Sequence, residues 1–130
     1  MSARLLQQFE QRPGVSVTPK GQATELTLVR GAIEVRVLVP EGVLEWFVEA
    51  EDRNSGTRIS DWCDYAGYDD TPPAQLQADM AADVAAFVDA SIQRDLRYSQ
   101  DSKGGGRFEW LVEGNWQQAV PLVSPRRGGR

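Results

Sequence analysis

The chain has no histidine and one cysteine, Cys63, in 130 residues. Without histidine there is no Ser–His–Asp triad, no Cys–His pair and no histidine-ligated zinc. One thiol cannot build a four-thiolate zinc site either. A lone cysteine forms no intrachain disulfide, which fits a reducing compartment. Long apolar runs are also missing. No window approaches the roughly 18 consecutive apolar residues of a membrane span. Met1 to Arg12 lacks the apolar stretch of a secretory signal. Lysine occurs only at Lys20 and Lys103. These absences point to a soluble cytoplasmic protein with little material for catalysis.

What remains is ordinary globular composition, 41% hydrophobic and 25% charged, which argues against disorder. The length suits one domain with its own core. We read residues 1–124 as that domain and 125–130 as a disordered tail. Charge is placed unevenly. Residues 41–101 hold fourteen acids and four bases, a net of −10, and the rest of the chain is +5, giving −5 in all. An acidic body repels nucleic acid and anionic membranes and attracts basic partners. The same charge also serves solubility alone.

Period-2 alternation dominates the first half. Leu26 and Leu28 share a face, as do Ile33, Val35, Val37 and Val39, and then Leu44, Trp46, Val48 and Ala50. Glutamates and Arg36 interleave, the pattern of a half-buried antiparallel sheet. A two-residue loop at Arg30-Gly31 sets Leu28 opposite Ile33. A four-residue loop, Pro40 to Val43, sets Val37 opposite Trp46 and, on the other face, which also carries Val29, Phe47 opposite Arg36 and beside Leu38. Both keep one apolar face. A fourth strand follows the Asn54-Ser55-Gly56 turn with Ala50 facing Ile59. That register points Asp61 inward and Trp62 outward. Because a buried unpaired carboxylate is unfavourable, a bulge turning Trp62 inward is expected. An inward Asp61 with a partner points instead to a functional site.

Helical spacing of Leu5, Leu6 and Phe9 predicts a short helix within Ala3–Arg12, ended by Pro13-Gly14. A short strand over Val15–Thr18 follows it. Leu76, Met80, Val84, Phe87, Val88 and Ile92 form one stripe of a long helix running from Pro73 to about Arg94. Phe108, Trp110 and Val112 alternate, then Trp116, Val120 and Leu122. A three-residue loop, Glu113 to Asn115, sets Val112 opposite Trp116. The fold expected is α+β: a four-stranded meander with the long helix packed on one face, then a C-terminal hairpin.

The densest constellation runs from Asp61 to Asp70, with Trp62, Cys63, Asp64, Tyr65, Tyr68 and Asp69 between. Rings among acids suit docking to a basic protein, the rings supplying area and the charges steering the encounter. Phe47, on the opposite face to the apolar set, extends that surface unless the N-terminal helix covers it. The plainer alternative makes Trp62 and Tyr65 core and sets Asp69-Asp70 against the helix dipole. Asp61 and Asp64 could also do acid–base work on a small ligand, although no nucleophile or electrophile stabiliser accompanies them. Cys63 among acids should be a raised-pKa, structural thiol. Asp52 to Cys63 fails the calcium-loop pattern at the fifth, sixth and twelfth positions. Lys103-Gly104-Gly105-Gly106 reverses the order of a phosphate loop, and one Arg-Gly-Gly unit at residues 127–129 is too little for RNA. No cofactor or metal is expected.

Size, acidity, lack of histidine and the sheet-plus-helix order resemble small bacterial immunity proteins, which implies an inhibitor of a basic toxin domain. Leu5-Leu6-Gln7-Gln8-Phe9 followed by a meander, a helix and two strands is similar in order to class I type III secretion chaperones, which implies a homodimer. The four-stranded first sheet and the missing C-terminal helix depart from that second pattern.

Overall fold

Alternation along residues 15–64 builds a five-stranded antiparallel sheet in the computed structural model, which describes residues 2–65 and 70–120. Helix α1 (Ser2–Gln7) leads into β1 (Val15–Lys20), β2 (Ala23–Arg30), β3 (Ile33–Pro40), β4 (Glu45–Asp52) and β5 (Thr57–Asp64). These pair in chain order. Helix α2 (Pro73–Gln93) follows, then β6 (Leu96–Gln100), β7 (Gly106–Val112) and β8 (Asn115–Val120), a second antiparallel sheet. The α+β class holds, with more strands than four plus a hairpin. Val15–Lys20 is a full member of the meander, and Leu96–Gln100 makes the hairpin three-stranded. The tail at 125–130 lies outside the described residues.

The meander registers differ from expectation by two residues, and the difference has a simple cause. The first turn is Gly31-Ala32, so Arg30 pairs with Ile33 and Leu28 with Val35. Gly31 takes the left-handed backbone, φ +60, at the first loop position. Moving a turn by one residue moves every partner by two, and the faces survive because the pleat also repeats at two. At the next turn Val37 pairs with Val48 and Leu38 with Phe47, so the residue directly opposite Phe47 is Leu38, its expected neighbour, and not Arg36. Ala50 does face Ile59.

The hairpin slips by one residue, with the opposite result. Glu113 and Gly114 both take positive φ, closing a two-residue loop in which Val112 pairs with Asn115 and Leu111 with Trp116. Trp116 therefore leaves the Phe108–Trp110 face and sits under Arg97, whose guanidinium lies 4.2 Å from its ring centroid.

One core lies on the inner face of the large sheet. Leu26, Leu28, Val37, Val39, Trp46, Val48 and Ala50 are buried there with Leu6 and Phe9 of the N-terminal segment and the apolar stripe of α2. Phe87 joins three layers: its ring centroid is 5.8 Å from Trp46 of the large sheet and 5.5 Å from Trp110 of the small one. Arg30 ties β2 to the end of α2, donating to the Ile92 carbonyl at 2.6 Å, where a cation also suits the helix dipole.

Phe87→Ala removes the ring that couples both sheets to the helix. Urea denaturation should show a loss of about 3–5 kcal/mol, and Phe87→Leu should retain more than half of that stability. Equal losses from the two variants would mean that the ring contacts contribute nothing beyond bulk.

Candidate functional site

The outer face of the large sheet is the one the core leaves uncovered. Leu6 and Phe9 pack with α2 on the inner side, so the N-terminal segment does not shield Phe47. Pairing across β3, β4 and β5 aligns Leu38, Phe47 and Trp62 in one row. Phe47 and Trp62 stand nearly parallel, 12° apart with centroids at 6.5 Å. Trp62 is 54% exposed, while Trp46, one strand over on the inner face, is fully enclosed. The bulge expected near Asp61 is absent: Val48 pairs with Asp61 and Phe47 with Trp62 in unbroken register.

Asp61 needs no bulge because β5 is an edge strand. The Tyr65 amide donates to the Leu44 carbonyl at 2.9 Å, so odd-numbered residues of β5 form the hydrogen-bonded pairs with β4. The Trp62 amide thus faces the open edge, and Asp61 Oδ1 accepts its hydrogen at 2.8 Å. An inward carboxylate at an edge is only half-buried, and here it also occupies a donor that another strand could have used.

Around the aromatic row runs a network of ions. Arg36 donates to Glu34 at 2.6 Å and to Glu49, and lies 3.5 Å from Glu51. Arg53 also pairs with Glu34, and Lys20 with Glu25 at 3.5 Å. The hydrogen bond from Arg53 holds the Glu34 carboxyl below its ordinary value; burial pulls it the other way and Arg36 adds to the lowering. Glu45 accepts from Trp62 Nε1 at 2.9 Å, fixing the exposed indole. Leu38, Phe47 and Trp62, with Arg36, Glu25 and Glu49, line a hollow of about 620 Å³.

The remaining members of the acidic segment scatter. Asp61 and Asp64 lie three apart on one strand and so face opposite sides of the sheet, which separates the proposed acid–base pair. Tyr65 is 1% exposed and therefore belongs to the core, not to a docking surface. Its hydroxyl accepts from Trp46 Nε1 at 3.1 Å and donates to Asp83 of α2 at 2.6 Å. Burial pushes the phenol's pKa up, and the bond to Asp83 raises it further. Asp70 is exposed ahead of α2, whereas Tyr68 and Asp69 lie outside the described residues. Cys63 is buried, and burial, with Asp61 and Asp83 nearby, pushes its thiol up to about 12.

Elsewhere, Asp101 Oδ1 accepts from the amides of Lys103 at 2.9 Å and Gly105 at 2.8 Å. A carboxylate already holds the donors that a phosphate would need. Among the described residues no cluster of three His, Cys, Asp or Glu side chains is placed to hold a metal ion. No described helix is long and apolar enough to cross a membrane. The row itself could have been found in the sequence, since Leu38, Phe47 and Trp62 are the large apolar residues at outward positions. The expected register already sets Phe47 beside Leu38; the unbroken pairing of β5 adds Trp62 to the row. No protein-family profile, curated protein or solved structure matches this chain.

Cys63 in the native protein should resist a disulfide reagent such as DTNB at pH 8 and react only after unfolding. Its thiol favours folding fully at neutral pH. Between pH 9.0, the thiol's ordinary value, and about 12 only the unfolded chain loses this proton, so stability should fall as pH rises through that window. Cys63→Ala should flatten the fall. Prompt native labelling would contradict the enclosed thiol.

Proposed function

We propose that this protein is a protein-binding module that receives a basic partner on the outer face of its five-stranded sheet, in the manner of an immunity-type inhibitor of a toxin domain. The observation that carries this reading is the uncovered Leu38–Phe47–Trp62 row inside a frame of carboxylates. A fixed, half-exposed indole is the kind of residue that dominates binding energy at interfaces. The bases on this face, Lys20, Arg36, Arg53 and Arg58, are already held by its acids. Five glutamates, at 25, 34, 45, 49 and 51, outnumber them, so the remaining field favours cations. The edges of the sheet are poor alternatives. Pro19 leaves β1 one backbone donor short, and Asp61 caps an open amide on β5.

Affinity capture from the native host tests this, with wild-type, Trp62→Ala and Phe47→Ala as baits. A basic protein should bind the wild type at low salt, leave at high salt, and bind Trp62→Ala at least about 30-fold more weakly, the equivalent of about 2 kcal/mol. For the inhibitor form, that partner should be toxic when expressed alone and harmless when co-expressed. Equal capture by all three baits, or retention indifferent to salt, would overturn the reading.

A further inference from the structure

On the other side of the sheet, a second cleft has the opposite character. It opens between α1, the loop after β3 and the first turns of α2, with a volume of about 480 Å³. Leu5, Val39, Val43 and Met80 supply its apolar lining. Val43, 45% exposed, stands at the rim of the cleft. The space exists because α2 presents Ala78 and Ala81 there, where longer side chains would fill it.

The polar lining is selective in charge. Among the described residues no carboxylate lines this cleft, although the chain carries nineteen acids. Arg4 is its only charged member among the described residues, beside the neutral amides of Gln8 and Gln77. Arg4 also differs from the other arginines. Every other described arginine has a carboxylate, a helix-end carbonyl or an indole ring as its partner. Arg4 has no such partner among the described residues. The first turn of α2 carries no acid and no side-chain cap, so the helix field has the same sign as Arg4. An apolar trough with one unpaired guanidinium is complementary to an apolar chain that ends in an anion.

We propose that this cleft binds a small aliphatic carboxylate, with the alkyl chain along Leu5, Val39, Val43 and Met80 and the carboxylate on Arg4. The site is independent of the outer face: its occupancy neither requires nor excludes a protein docked on Trp62.

The test uses decanoate below its micelle-forming concentration. Binding is followed by calorimetry and by amide shifts in isotope-labelled full-length protein. Decan-1-ol and decyltrimethylammonium serve as chain-matched controls. Decanoate should bind most tightly and shift the amides of Val43, Ala74 and Ala78 while leaving Phe47 and Trp62 unmoved. Arg4→Gln should weaken decanoate about tenfold or more, as expected for a lost charge-assisted bond, and leave decan-1-ol unchanged. Ala78→Leu, a change at an exposed position, should block both while the far-UV circular dichroism stays native. The proposal is overturned if the three amphiphiles bind alike, if Arg4→Gln has no effect on decanoate, or if the shifts fall on the outer face.

Discussion

Trp46 is the residue on which the two halves of this fold depend. Its ring lies fully enclosed on the inner face of β4, against Phe87 of α2, and Phe87 in turn meets Trp110 of the small sheet. Aromatic rings bury large areas and tilt against one another favourably, so this three-ring chain holds sheet, helix and second sheet in one core. The indole N–H cannot be buried without an acceptor. Tyr65 supplies that acceptor and passes its own hydrogen to Asp83. The polar chain thus ends at a half-buried carboxylate, where solvent shares the charge. Tyr65 is therefore required by the core, and its place in an acidic, ring-rich segment is a consequence of where β5 ends.

Because all the described covering elements share the inner side, the outer face keeps its own chemistry. Its arginines and glutamates pair across strands, which offsets the repulsion that five glutamates would otherwise create. Such pairs at a half-exposed surface add little to stability. Their larger effect is to occupy the cations and leave the net field to the acids. The aromatic row rises from this frame at β4 and β5, next to an edge protected by Asp61. A face with rings and charge, and edges each short of a free backbone donor, favours recognition by side chains over backbone pairing.

The cleft beside α1 and the hollow over Phe47 differ in every respect that matters to a ligand. One is apolar with a single unpaired guanidinium, and the other is aromatic within a field of carboxylates. The sheet between them keeps the two surfaces apart. Similar separation appears in the small sheet, where Glu109 gathers Arg97, Arg107 and Ser99 on the face away from Phe108 and Trp110. Burial tends to raise the Glu109 carboxyl, yet the hydrogen bonds from Arg97 and Ser99 outweigh it and the pKa falls. The ion network there is structural, with its donors already committed.

The sequence by itself determined the α+β class, the long helix, the inner face of the meander and the outward position of Phe47. These follow from periods of 2 and 3.6, which local composition sets and which survive a two-residue error in register. Tertiary structure alone decided which turn residues close each hairpin, because a glycine's left-handed φ must match the twist of strands already paired. It therefore decided that Phe47 pairs directly with Leu38 rather than with Arg36, and that Trp116 leaves the core face. It also decided the fate of Asp61. Inward means buried in a central strand but half-solvated at an edge, and a strand's place in the sheet is written in no single segment of the chain. Arg4 shows the same limit, since a guanidinium is free or paired only once distant acids have taken their positions.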